Sequence, residues 1–149
     1  MLAALAERLF VELDAVLQQP LSSAPDSWAA LVAEIEARFQ DYYRRHPGSL
    51  RAFAGRAWSG GYSSGRPAAR STAGPAFFQQ CLAERFVLPA LPQDVDIFAL
   101  AMQAADKLLA VGYQQAGALS DPICREATRL MTAYLSVYLP PVLPPAKGR

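Results

Sequence analysis

Apolar positions recur along most of this chain at steps of three and four residues, the spacing that lines one side of an α-helix. From residue 1 to about 19 they are Leu2, Leu5, Leu9, Leu13 and Val16. Gln18-Gln19-Pro20 closes that run, because proline cannot continue a helix. Pro25-Asp26-Ser27 then supplies side-chain oxygens that can accept from first-turn N–H groups of a second helix. Trp28, Leu31, Val32, Ile35, Phe39, Tyr42, Tyr43 and His46 share one stripe of it, with Glu34, Asp41, Arg44 and Arg45 opposite. Pro47-Gly48 ends it, and a short helix fits 49–56. Residues 59–75 lose all periodicity and are rich in Gly, Ser, Arg and Pro, which predicts a long mobile loop. A further helix from about 75 to 88 carries Phe77, Phe78, Cys81, Leu82, Phe86 and Leu88, before Pro89 and Pro92 break the chain.

The last two runs differ from the rest. Over 94–116, Asp96, Gln103, Asp106, Lys107 and Gln114 form one narrow polar stripe. The remaining arc, roughly 200° wide, is apolar, about twice the face of an ordinary surface helix. One side of it holds Phe98, Met102, Ala105 and Leu109; the other holds Ile97, Leu100, Ala101, Ala104, Leu108 and Val111. Asp121-Pro122 starts the final helix, with Asp121 as N-cap and Pro122 at the first helical position, and this helix repeats the double width. Its two sides are Ile123, Ala127, Leu130, Tyr134 and Val137, and Cys124, Met131, Leu135, Tyr138 and Leu139. Pro140-Pro141 stops it, and 141–149 reads as a disordered tail. Each of these helices must pack on two things: the domain's own core and, most simply, a second copy of the chain closing a four-helix bundle. No repeat and no strand pattern is present. The pattern predicts one all-α domain over 1–149.

Composition sharpens this. Of the 149 residues, 52% are apolar and only 18% charged, against about 25% charged in an ordinary domain. The apolar surplus calls for burial beyond the chain's own core, in a partner surface or a ligand cavity. A net charge of +1 argues against general nucleic-acid binding. Cys81 and Cys124 stand far apart without a metal-ligand spacing and read as buried thiols of a reducing compartment. The first residues lack a basic stretch and carry Glu7, so they make a poor signal peptide. No run of 18 uncharged apolar residues exists to span a membrane. The expectation is a cytoplasmic protein.

Candidate chemistry is sparse. Gly61-Tyr62-Ser63-Ser64-Gly65 matches the nucleophile string of serine hydrolases, but no strand precedes it and the sole histidine, His46, comes before the Ser. His46 lies on the apolar stripe as a core residue or a polar handle in a cavity, and it has no second histidine with which to hold a metal. The tyrosines are core residues whose hydroxyls need partners, natural polar points in an apolar pocket. Residues 38–70 carry seven Arg and one Asp, read as a solvated face. Glu34 and Glu36 lie about 200° apart on their helix and form no carboxylate pair. No catalytic residue, metal or cofactor is expected.

Four segments taken in order carry a family likeness: Leu2-Ala3-Ala4-Leu5-Ala6-Glu7-Arg8-Leu9-Phe10; Asp26-Ser27-Trp28 leading to Asp41-Tyr42-Tyr43-Arg44-Arg45-His46-Pro47-Gly48; Pro89 to Gly112; and Ser120-Asp121-Pro122 to Pro140. The chain resembles the C-terminal ligand-binding and dimerisation domain of TetR-type transcriptional repressors. The resemblance implies about six helices, the last two forming an intersubunit four-helix bundle. It also implies a helix-turn-helix head ahead of this region, so operator DNA would be read only through a part outside this chain. A small, largely apolar effector would enter a cavity between the helices and shift the first of them, supplying only its differential affinity for the two states. Family layout and the stripes together place that ligand against Phe10, Ile35, Phe39, Tyr42, Tyr43, His46, Phe53, Trp58, Phe78, Cys81, Phe98 and Met102. The homodimer seam is expected at Ile97, Ala101, Ala104, Leu108, Cys124, Thr128, Met131, Leu135 and Tyr138. On that assignment, Ala101→Arg or Leu135→Glu gives monomers. The competing readings are a protein–protein adaptor without a small-molecule ligand and a small helical enzyme.

Overall fold

The computed structural model describes residues 8, 11, 12, 15, 16, 27–50 and 73–146. Within them the regular elements are helices: α1 (Trp28–Arg45), α2 (Ala73–Arg85), α3 (Ile97–Ala116) and α4 (Asp121–Leu135). Residues 8, 11, 12, 15 and 16 are also helical, as are 47–50.

Local chemistry accounts for the boundaries. The Ser27 hydroxyl accepts from Ala30 N–H at 3.1 Å and starts α1. Asp96 accepts from both Phe98 and Ala99 N–H at 3.1 Å and starts α3. Ser120 caps α4, with Pro122 in its first turn. Gly117 ends α3 in the left-handed conformation, φ 74°, which glycine adopts without a Cβ clash. The helix α2 begins at Ala73, inside the stretch expected to be loop; the rest of that stretch lies outside the described residues.

The four helices share one core. From α1 it takes Leu31, Val32, Ile35, Phe39 and Tyr43; from α2, Phe78 and Leu82; from α3, Phe98, Ala101, Ala105 and Leu109; from α4, Ala127, Met131 and Leu135. Phe39 stacks on Phe78 with centroids 5.8 Å apart, joining α1 to α2. Helices α3 and α4 form an antiparallel hairpin. They close up at Gly112, where a Cβ would fall 2.5 Å from Ile123 Cγ1.

The C-terminal segment differs from expectation. Residues 141–146 are pinned to the end of α2 and the residues after it. Val87 N–H donates to Pro144 O at 2.8 Å, Ala146 N–H donates to Arg85 O at 2.9 Å, and Leu143 is buried. The Trp28 indole N–H donates to Pro140 O at 2.8 Å and ties the same region to the start of α1. Buried backbone groups and an apolar side chain hold this stretch, although prolines deny it a helix. No helix among the described residues is long and apolar enough to cross a membrane.

Candidate functional site

The feature that packing alone does not explain is a polar seam along one flank of α1. Glu36 stands four residues after Val32 and seven before Tyr43, so it shares their side of the helix. Glu36 is 1% exposed and Gln40, one turn on, 9%. The Gln40 amide nitrogen donates to Cys124 O at 2.9 Å and to Thr128 Oγ1 at 3.1 Å, joining α1 to α4. It also lies 3.5 Å from Glu36 Oε1. The Tyr43 hydroxyl donates to Asp106 Oδ1 at 3.0 Å, joining α1 to α3. Asp106 was expected on the polar, outward stripe of its helix, yet it is buried. It sits at the edge of that stripe, where α1 covers it.

Two buried carboxylates so placed cannot both ionise cheaply. Burial pushes the Glu36 carboxyl well above its ordinary range, the charge of Asp106 adds to this, and the Gln40 amide opposes it. Burial pushes Asp106 up to about 7, against the Tyr43 hydrogen bond. The Tyr43 phenol is raised by burial and by the charges of Asp106 and Glu36. Both shifts run in the direction that favours the protonated form of the pair. The cluster ties α1 to α4 through Gln40 and to α3 through Tyr43. Among the described residues no group of three His, Cys, Asp or Glu could hold a metal.

Directly outside Gln40 the α1–α4 boundary opens into a groove of about 470 Å³. Its walls include Arg44 from α1 and Asp121, Arg125 and Arg129 from α4; Ala33, Gln40, Cys124 and Thr128 lie deeper. Arg44 donates to Asp121 Oδ1 at 2.5 Å and to Leu119 O at 3.2 Å. Arg129 pairs with Glu126 at 2.7 Å.

The aromatic residues expected to face an effector converge, but as packed core. Ile35, Phe39, Tyr42, Tyr43, Phe78, Cys81 and Phe98 are all buried, and Met102 half-buried. His46 was expected on the buried stripe. It is exposed instead, because α1 ends at Arg45, and its ring lies against Tyr42 with centroids 4.5 Å apart. Phe10, Phe53 and Trp58 lie outside the described residues, as does the Gly61–Gly65 string. The Tyr42 phenol is pushed up to about 12, first by burial and then by the Glu12 carboxylate beside it. The N-terminal helical stretch therefore touches the aromatic end of α1.

The expected seam residues divide. Ile97, Ala101, Cys124, Met131 and Leu135 are buried within the protomer. Ala104 is exposed, and Leu108, Thr128 and Tyr138 are half-buried. The reason is geometric: residues pairing across an antiparallel hairpin keep a constant sum of numbers, and 101 with 135, 105 with 131 and 109 with 127 all fall on one inner line. Outside that line lie Leu100, Ala104 and Val111 on α3 and Leu130 and Tyr134 on α4, half-buried or exposed. Leu130 is 40% exposed and Val137, two residues beyond α4, 73%.

Compared with protein-family models, with characterised proteins and with solved structures, the chain matches none.

Proposed function

We propose that this chain is the effector-binding and dimerisation domain of a TetR-like repressor, pairing with a second copy through the outer face of α3 and α4. The observation that carries the reading is that face: Leu100, Ala104, Leu108 and Val111 on α3 beside Leu130 and Tyr134 on α4 and Val137 after it, apolar and half-buried or exposed in the protomer. An apolar strip on two adjacent helices is self-complementary about a two-fold axis and would bury four helices together. Lys107 and Glu126 flank it and would form the polar rim.

The effector would enter among α1, α2 and α3 by parting the Phe39–Phe78 stack, with Tyr42, Tyr43 and Met102 around it. The contact between Glu12 and Tyr42 supports a route from there to the N-terminal helix, which in a full-length regulator would lead to a DNA-reading head.

Sedimentation velocity tests the assembly. The chain is expected to sediment as a dimer at micromolar concentration, and Leu130→Glu with Val137→Glu as a folded monomer. A wild-type monomer at that concentration removes the reading and turns attention to a different partner protein. A thermal-shift screen with apolar aromatic compounds tests the effector, since a ligand bound only by the native state raises Tm.

A further inference from the structure

We propose that the groove between α1 and α4 seats a small organic anion bearing a carboxylate or phosphate group. The proposal stands on the groove's own geometry and does not depend on the repressor reading. Arg125 and Arg129 are one turn apart on the flank of α4 that faces α1, and Arg44 reaches the same volume from α1. Three guanidiniums and the single carboxylate of Asp121 line the space. The arginines are unequally engaged. Asp121 and a backbone carbonyl occupy Arg44, and Glu126 occupies Arg129. Among the described residues Arg125 makes no ion pair. An incoming oxyanion thus meets Arg125, whose charge acts on Asp121 without an ion pair among the described residues, and Arg129, held by an exposed partner that water competes for readily.

The floor is built rather than accidental. Gln40 lies at the back of the groove, nine-tenths buried, with its amide fixed by Cys124 O and Thr128 Oγ1. These bonds hold α1 and α4 at a set spacing, so the arginines project from a rigid base. Arginine's planar fork suits carboxylate and phosphate oxygens in pairs. Small Ala33 leaves room for an organic body behind the charged group. The volume fits a small molecule, within the roughly 300–1,000 Å³ of ligand pockets. The groove also lies on the flank of α4 opposite Leu130 and Val137, so a second copy on the apolar face would leave it open.

The test is NMR titration of the full chain with phenyl phosphate, benzoate and inorganic phosphate, against sodium chloride at matched ionic strength. The expected result is a saturable shift of the Gln40 side-chain amide for at least one oxyanion. It should weaken about tenfold on Arg125→Ala and again on Arg129→Ala, the factor one charge-assisted hydrogen bond of ordinary strength carries. Arg125→Lys should keep part of the affinity. The two organic probes separate a phosphate from a carboxylate preference, and inorganic phosphate shows whether the aromatic body contributes. Both arginines are exposed, so their loss leaves the core intact. Shifts no larger than those of chloride, or equal affinity in the double alanine variant, overturn the proposal.

Discussion

At the scale of single residues the protein is decided by where charge has been taken out of water. Glu36 and Asp106 are carboxylates whose folded pKa values are raised. The native state therefore keeps protons that the unfolded chain has already released, on Asp106 up to about pH 7. Stability from this pair is complete below the unfolded pKa and is lost as pH rises towards the folded value. We expect Tm to fall from pH 5 to pH 8. Asp106→Asn, which still offers an oxygen to Tyr43, should flatten that slope and stabilise the chain at pH 8 by roughly 1–3 kcal/mol. Thermal melts of both proteins across that range decide it; parallel curves would mean that Asp106 does not titrate. Tyr43→Phe should cost about 1–3 kcal/mol, because the buried Asp106 oxygen loses its donor. None of this was visible in helical periodicity, which assigns polar residues outward. The i, i+4 and i, i+7 spacing of Glu36 to Gln40 and Tyr43 was the available signal, since it sets a carboxylate on the flank of an apolar stripe.

Among the elements, the hairpin of α3 and α4 is the most sensitive joint. Gly112 lets the two helices touch at Ile123, whose branched side chain fills the space a Cβ needs. Gly112→Ala should destabilise by about 1–3 kcal/mol through that overlap, although alanine is the better helix former; a chemical denaturation curve measures it. Asp96→Ala should cost about 1 kcal/mol by releasing two first-turn N–H groups. The start of α1 was legible because Ser27 acts through neighbours in sequence; α4 is capped by Ser120, one residue ahead of the expected Asp121, and Asp96, expected in the polar stripe of its helix, is instead the cap of α3. The pinning of 141–146 was not, because its partners at Arg85 and Val87 are more than fifty residues away.

On the scale of the whole molecule, the question is which apolar surface belongs inside. Leu135→Glu and Ala101→Arg, expected from sequence to separate two copies, would instead bury a charge in the protomer, at positions 0% and 1% exposed. They should abolish the cooperative melt, whereas Leu130→Glu should keep it and change only the sedimentation coefficient. Circular dichroism with sedimentation velocity on the same samples separates the two outcomes. The all-α class, the cap of α1 and the double width of the last two helices follow from the sequence, because helical spacing and capping are set within a few residues. Only tertiary structure chose which side of each wide helix faces inward, buried Asp106 and Glu36, and turned His46 out to solvent. Those choices depend on which element lies opposite, and two apolar sides of equal hydrophobicity give a local pattern no means to tell them apart.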